Sequence, residues 1–146
     1  MHLLNQQNTP EVGDVPDIEN FKQLIKFSEN ILIAEKDSKL IGFVLCMKQN
    51  QMYKSKNYLY LSSKFSEFLY IDRIAIGKKY RRLGIGKTMY EKIIEAAKLT
   101  EVPLLCEVNT KPKNGPSLAF HKYLGFEEIG KNDFDGSSVV YLKKEH

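Results

Sequence analysis

Phe68-Leu69-Tyr70-Ile71-Asp72-Arg73-Ile74-Ala75-Ile76, followed after Gly77-Lys78-Lys79-Tyr80 by Arg81-Arg82-Leu83-Gly84-Ile85-Gly86-Lys87-Thr88, is the stretch on which the fold turns. Its first part is apolar on both faces toward its end, as a central strand is. From about Leu83 to Leu99, the residues Ile85, Met89, Ile93, Ala96 and Ala97 share one face, which predicts a helix. A glycine turn between strand and helix suits an anion. Glycine lets the backbone come close, and the first helical N–H groups are free to donate. Two familiar phosphate loops are excluded. A P-loop needs glycine where Arg81 stands, and a dinucleotide fingerprint needs it where Met89 stands. The plain alternatives are that Gly84 and Gly86 only tighten a turn, and that Lys78 to Arg82 is a solvated basic loop.

Working outward, residues 1–16 carry Pro10, Gly13 and Pro16 and few apolar side chains, and read as a loose arm. Ile18, Phe21, Leu24 and Ile25 recur at helical spacing between Asp17 and Asn30. Ile31 to Ala34 and Leu40 to Met47 read as a hairpin turning at Asp37-Ser38-Lys39. Gln49 to Ser66 is polar, holds Tyr53, Tyr58 and Tyr60, and has no clear period, so it reads as a long loop of the kind that lines functional sites. Pro103 to Asn109 is a buried strand. Pro116 to Leu124 is a helix capped by Gly125. Glu127-Glu128-Ile129 and Val139 to Leu142 are strands joined by a turn over Asn132 to Ser138. This order predicts an α/β (α+β) fold, a mixed sheet packed by helices, in one domain over residues 1–146.

Composition narrows the function classes. The 146 residues are 42% hydrophobic and 27% charged, with a net charge of +4, which suits an anionic small ligand better than nucleic acid. There is no run of eighteen apolar residues and no signal-peptide pattern, so no membrane partner is expected. Cys46, Cys106 and the scattered His2, His121 and His146 lack metal-ligand spacing. Free cysteines favour the cytoplasm.

Arg81-x-x-Gly84-x-Gly86 after a strand, followed by Asn114-x-x-Ser117-x-x-Phe120-His121-x-x-x-Gly125-Phe126, resembles the two signature blocks of the GNAT superfamily of acetyltransferases. The resemblance runs from about Leu40 to Phe126, and more loosely from Asp17 to Tyr141. The pairing of Phe68 to Arg73 with Cys106-Glu107-Val108-Asn109 is similar to a bacterial branch of predicted acetyltransferases. It implies a mostly antiparallel sheet whose strands splay, and acetyl-CoA as cofactor. The main chain of Ile74, Ala75 and Ile76 would hold the pantetheine arm. The amides of Arg82, Leu83, Gly84, Ile85, Gly86 and Lys87 would hold the pyrophosphate with Arg81 and Thr88, and Asn114 and Ser117 would touch the cofactor. The family opens with a strand and then a helix, and only Leu3-Leu4-Asn5 is expected to match the end of that helix here. The sheet should therefore lack its first strand and leave an edge that another chain could cover, a homodimer being one arrangement.

Three residues are candidates for the chemistry. Glu107 lies in the apolar run Leu104 to Val108, where a carboxylate must be paired or shifted. It reads as a base or amine-binding group, with an ion pair to Arg73 as the structural alternative. Asp72 shares strand parity with Ile74 and could act too, or form an ion pair. His121 stands where the resemblance places a tyrosine acid, and imidazole can do that work. Tyr70 is packing or an ionisable group. The resemblance implies acetyl transfer to a primary amine of a small molecule or a protein. The other function class is a degenerate acyl-CoA-binding module.

Overall fold

The computed structural model describes residues 1–146. Two short helices come first, α1 (His2–Gln6) and α2 (Ile18–Phe27). Asp17 caps α2 by accepting from the Glu19 amide, and Phe21 and Leu24 give the helix its buried face. A hairpin follows, β1 (Asn30–Lys36) and β2 (Lys39–Lys48), then α3 (Lys56–Lys64) and β3 (Leu69–Ile76). After a 3-10 turn at Lys78–Tyr80 come α4 (Ile85–Leu99), β4 (Leu104–Lys111), α5 (Gly115–Tyr123) and the hairpin β5 (Glu127–Phe134) and β6 (Ser137–Lys144).

The six strands lie in the order β1-β2-β3-β4-β6-β5. All neighbours are antiparallel except β3 and β4, which pair in parallel only at Leu69–Leu104 and Tyr70–Leu105. Beyond those two pairs the strands separate, and the sheet is split down its middle. Each face carries its own core. Phe43, Leu45, Met47, Tyr70, Leu105 and Tyr141 face α1, α2 and α3. Val44, Cys46, Ile71, Cys106, Val108 and Val140 face α4 and α5. Buried on both faces along most of their length, β2, β3 and the Leu104 to Val108 part of β4 are mainly apolar, which is why they were legible as strands.

The sheet begins at the edge strand β1, with only α1 and α2 before it, and Ile31 and Ile33 are exposed there. Three local expectations are corrected. The arm of residues 1–16 is not loose throughout, because α1 buries Leu4 and Asn5. The expected loop of residues 49–66 contains α3. Ser55 caps that helix, and only Tyr58 and Leu61 are buried, so its apolar stripe is too narrow to stand out. The turn over residues 132–138 shrinks to Asp135-Gly136, with Gly136 in the left-handed region. Strand β5 runs on to Phe134, its polar residues being those of a partly exposed edge.

Candidate active site

Where β3 and β4 part, a cleft of about 670 Å³ crosses the sheet. Side chains from both faces line it: Asn57, Asp72, Arg73 and Glu107 on the α1–α3 side, and Tyr90, Phe120 and His121 on the α4–α5 side.

A bulge in β3 shapes the first side. Leu45 pairs with Arg73 and Cys46 with Ile71, so Asp72 is the extra residue. The bulge reverses side-chain alternation along β3. Tyr70 before it and Arg73 and Ala75 after it face α1–α3, while Ile71 and Ile74 face α4–α5. Asp72 and Arg73 can therefore meet on one face although adjacent, with Arg73 Nε donating to Asp72 Oδ2 at 2.6 Å. The parity expected between Asp72 and Ile74 does not hold, and the bulge is the reason. The Asp72 side chain is 3% exposed and already engaged by Arg73. The same guanidinium donates from Nη1 to Asn5 Oδ1 (2.9 Å) and to the Gly13 carbonyl (3.2 Å). That takes up Arg73, so the alternative ion pair to Glu107 does not form.

Glu107 instead accepts neutral donors. Tyr70 donates its hydroxyl to Oε2 at 2.9 Å and to Oε1 at 3.0 Å, and Asn57 Nδ2 donates to Oε1 at 3.1 Å. Tyr141 donates to Asn57 Oδ1 at 2.9 Å and so fixes the orientation of the amide. Burial, aided by the Asp72 charge, pushes the Glu107 carboxyl up to about 8. The Tyr70 and Asn57 hydrogen bonds and the Arg73 charge pull the other way.

On the second side, the entrance to α4 presents a cradle of free amides. Gly84 caps the helix at φ 82° without a side-chain bond, and Arg82 also has positive φ. The first amide of this region with a protein acceptor is that of Thr88, which donates to the Gly84 carbonyl. The N–H groups of residues 82–87 have none. The two glycines serve different needs. A Cβ on Gly84 would meet nothing within 4 Å, whereas one on Gly86 would lie 3.2 Å from Ile76 Cδ1. Gly84 keeps the cradle open, and Gly86 lets α4 lie close on β3. Deeper in, His121 is buried on α5. Its Nδ1 lies 2.7 Å from the Ser117 carbonyl, and its Nε2 lies 2.7 Å from the Tyr90 hydroxyl.

Known proteins bear on this geometry directly. The model of the acetyltransferase (GNAT) family matches residues 1–126. The chain belongs to that family. An N-alpha-acetyltransferase of Sulfurisphaera tokodaii is 24% identical over 108 residues, which are 74% of this chain and 62% of that protein. The chain thus spans less than two thirds of that relative's length. The ribosomal-protein-S18-alanine N-acetyltransferase of Escherichia coli superposes with a TM-score of 0.70 at 16% identity, over 99% of this chain and 86% of its own. A GNAT family acetyltransferase of Elizabethkingia anophelis, solved with acetyl-CoA bound, does so with a TM-score of 0.64 at 16% identity, covering 90% and 84%. At such identities the superpositions speak for the fold.

Set in the GNAT frame, most of the residues singled out from sequence border one cleft. Asp72, Ile74, Ile76, Arg81, Arg82, Gly84, Ile85, Gly86, Lys87, Glu107, Asn114, Ser117 and His121 all line it. Three do not. The Ala75 side chain turns into the core on the α1–α3 face, Leu83 is 67% exposed, and the Thr88 hydroxyl donates back to the Gly84 carbonyl. Asn114 caps α5 by accepting from the Ser117 amide, leaving its Nδ2 for a ligand. Of the three tyrosines of residues 49–66, none lines the cleft. Tyr58 is in the core, and Tyr60 stacks on Tyr141 with ring centroids 4.2 Å apart.

Sequence reasoning missed Asn57, Tyr90 and the turn around Asn8 to Gly13. Tyr90 had a signal, a hydroxyl set among the apolar positions of α4, whereas a single asparagine in a polar stretch has none. The Asn8 turn is tied to the cradle by Arg81, whose Nη2 donates to Asn8 Oδ1 at 2.7 Å.

Proposed function

We propose that the chain is an N-acetyltransferase that moves the acetyl group of acetyl-CoA to a primary amine, with an α-amine such as a peptide N-terminus as the preferred acceptor. The observation that carries this reading is the cleft itself, with a buried carboxylate on one face of the sheet and a cradle of unpartnered amides on the other. The cradle fits acetyl-CoA, since it offers N–H donors and a helix N-terminus to a pyrophosphate. The edge of β3 beyond Tyr70, free of β4, offers main-chain groups at Ile74 to Ile76 to a pantetheine arm. Bound there, acetyl-CoA supplies the activated acetyl thioester.

The chain's own groups do the rest. Holding both reactants in one cleft removes much of the entropic barrier. Glu107 receives the ammonium and takes its proton. Its affinity for a proton, near 8, matches that of an α-amine (about 7.7–8.0), whereas a lysine amine near 10.4 is held more than two units higher. Asp72 acts at one remove, through its charge on Glu107 and its hold on Arg73. The α-amine acceptor agrees with the names of the Sulfurisphaera and Escherichia relatives. A reducing compartment such as the cytoplasm suits the two buried free cysteines.

The test is thiol release from acetyl-CoA with peptides bearing a free α-amine, set against peptides whose only amine is a lysine. Glu107→Gln should cut turnover by about 10²–10⁴-fold while CoA affinity holds. Full activity of the Gln variant would remove Glu107 from the chemistry. An inert wild-type protein that still binds CoA would leave a binding module.

A further inference from the structure

The Tyr90–His121 pair has a proton logic of its own. A carbonyl oxygen only accepts, so the 2.7 Å contact to Ser117 places a hydrogen on His121 Nδ1. In the neutral ring Nε2 is then an acceptor, and the 2.7 Å contact to Tyr90 is the phenol donating to it. The ring is enclosed by Tyr90, Phe120 and Phe126. Neither imidazole nitrogen therefore has a hydrogen to offer the cleft. The Tyr90 oxygen is the polar atom at the end of the pair, and Tyr90 also lines the cleft.

We propose that Tyr90 is the group that hands a proton to the leaving sulfur, and that His121 is the reservoir behind it; this rests on the acetyl-transfer reading above. With His121 protonated, Nε2–H donates to the Tyr90 oxygen, and the phenol hydrogen is free to turn into the cleft. Tyr90 Oη–H then gives its proton to the sulfur as the carbon–sulfur bond breaks and the electron pair goes to sulfur. Nε2–H refills Tyr90, and both side chains end neutral. The second proton, which the nitrogen loses on becoming an amide, goes to Glu107 on the other face once that carboxylate has passed the ammonium's proton to solvent, and solvent recharges His121.

The ionisable neighbours of the pair are Cys106 on β4, Cys46 on β2 and Glu107, which turns to the opposite face of β4; all three act on Tyr90 rather than on the ring. Burial holds His121 below its ordinary value of 6.5. In the free protein the pair therefore rests neutral at pH 7, and negative charge developing on the sulfur draws the proton onto it.

The experiment uses CoA itself, with no acceptor. The thiol of bound CoA is titrated by its ultraviolet thiolate absorbance in the wild type, Tyr90→Phe and His121→Gln. Circular dichroism verifies folding. A phenol aimed at the sulfur stabilises the thiolate, so Tyr90→Phe should raise the bound thiol's pKa by about one unit, a tenfold change in its acid constant. Glutamine keeps a partner for the Tyr90 oxygen and should leave the thiol near its wild-type value. An unmoved thiol in Tyr90→Phe overturns the proposal. So does a rise in His121→Gln equal to that in Tyr90→Phe, which would place His121 at the sulfur directly. Failure of the wild type to bind CoA would sink the acetyl-transfer reading, and the role of the pair with it.

Discussion

Glu107 combines two properties that rarely coexist, a seat in an apolar strand and access to a cleft. Its ordinary carboxylate value is 4.5 and the folded protein holds it near 8. Between those values the unfolded chain is ionised while the folded one keeps the proton. The folded state binds more protons there, and stability falls as pH rises through the window. Glu107→Gln removes that penalty. Its melting temperature should match the wild type near pH 4 and exceed it by a margin that grows up to pH 8, then levels off. A margin equal at pH 4 and pH 9 would mean that the carboxyl is not shifted. The residue's unusual setting was legible, because a lone glutamate in Leu104 to Val108 must be explained. Its partners were not. Asn57 lies fifty positions away on a helix with no clear pattern, and the bulge that engages Arg73 with Asp72 leaves no mark in the sequence.

At the scale of elements, legibility followed burial. Strands β2, β3 and β4, with side chains buried on both faces, could be read to within two residues, as could α4 with its broad stripe. α3 and the far half of β5 could not, since each buries little and is polar elsewhere. The entrance to α4 has the free amides that the cradle reading requires, but its two glycines, read alike from sequence, meet different surroundings. Gly84→Ala forces an L side chain into the left-handed region, at a cost of about 1–2 kcal/mol, and disturbs the amides that follow. Denaturant unfolding should register that loss, and CoA titration should show weaker binding. Gly86→Ala gains helix propensity but presses on Ile76, so its main effect should be on stability. If Gly84→Ala binds CoA as the wild type does, the free amides of residues 82–87 are not the cradle.

Across the whole molecule, two arginines bind the first turn of chain to the site. Arg73 holds Asn5 and Gly13, and Arg81 holds Asn8, which itself donates to the Leu4 carbonyl. Asn8→Ala should release the wall formed by residues 8–13 while leaving both cores untouched. Amide exchange there should quicken, the KM for the acceptor should rise severalfold, and CoA affinity should change little. Unaltered exchange in residues 7–13 would show that Arg81 does not anchor the wall. The split sheet has one more consequence, which concerns inheritance. The three helices on the Glu107 face all precede β3 in the chain, and the two on the cradle face both follow it. The helical wall around the acceptor is thus written in the first half of the gene, and Glu107 together with the grip on the cofactor in the second. A crossover in the Phe65–Phe68 connection could therefore graft a new acceptor preference onto an unchanged acetyl donor site, allowing such a lineage to diversify its substrates by exchanging one end of its coding sequence.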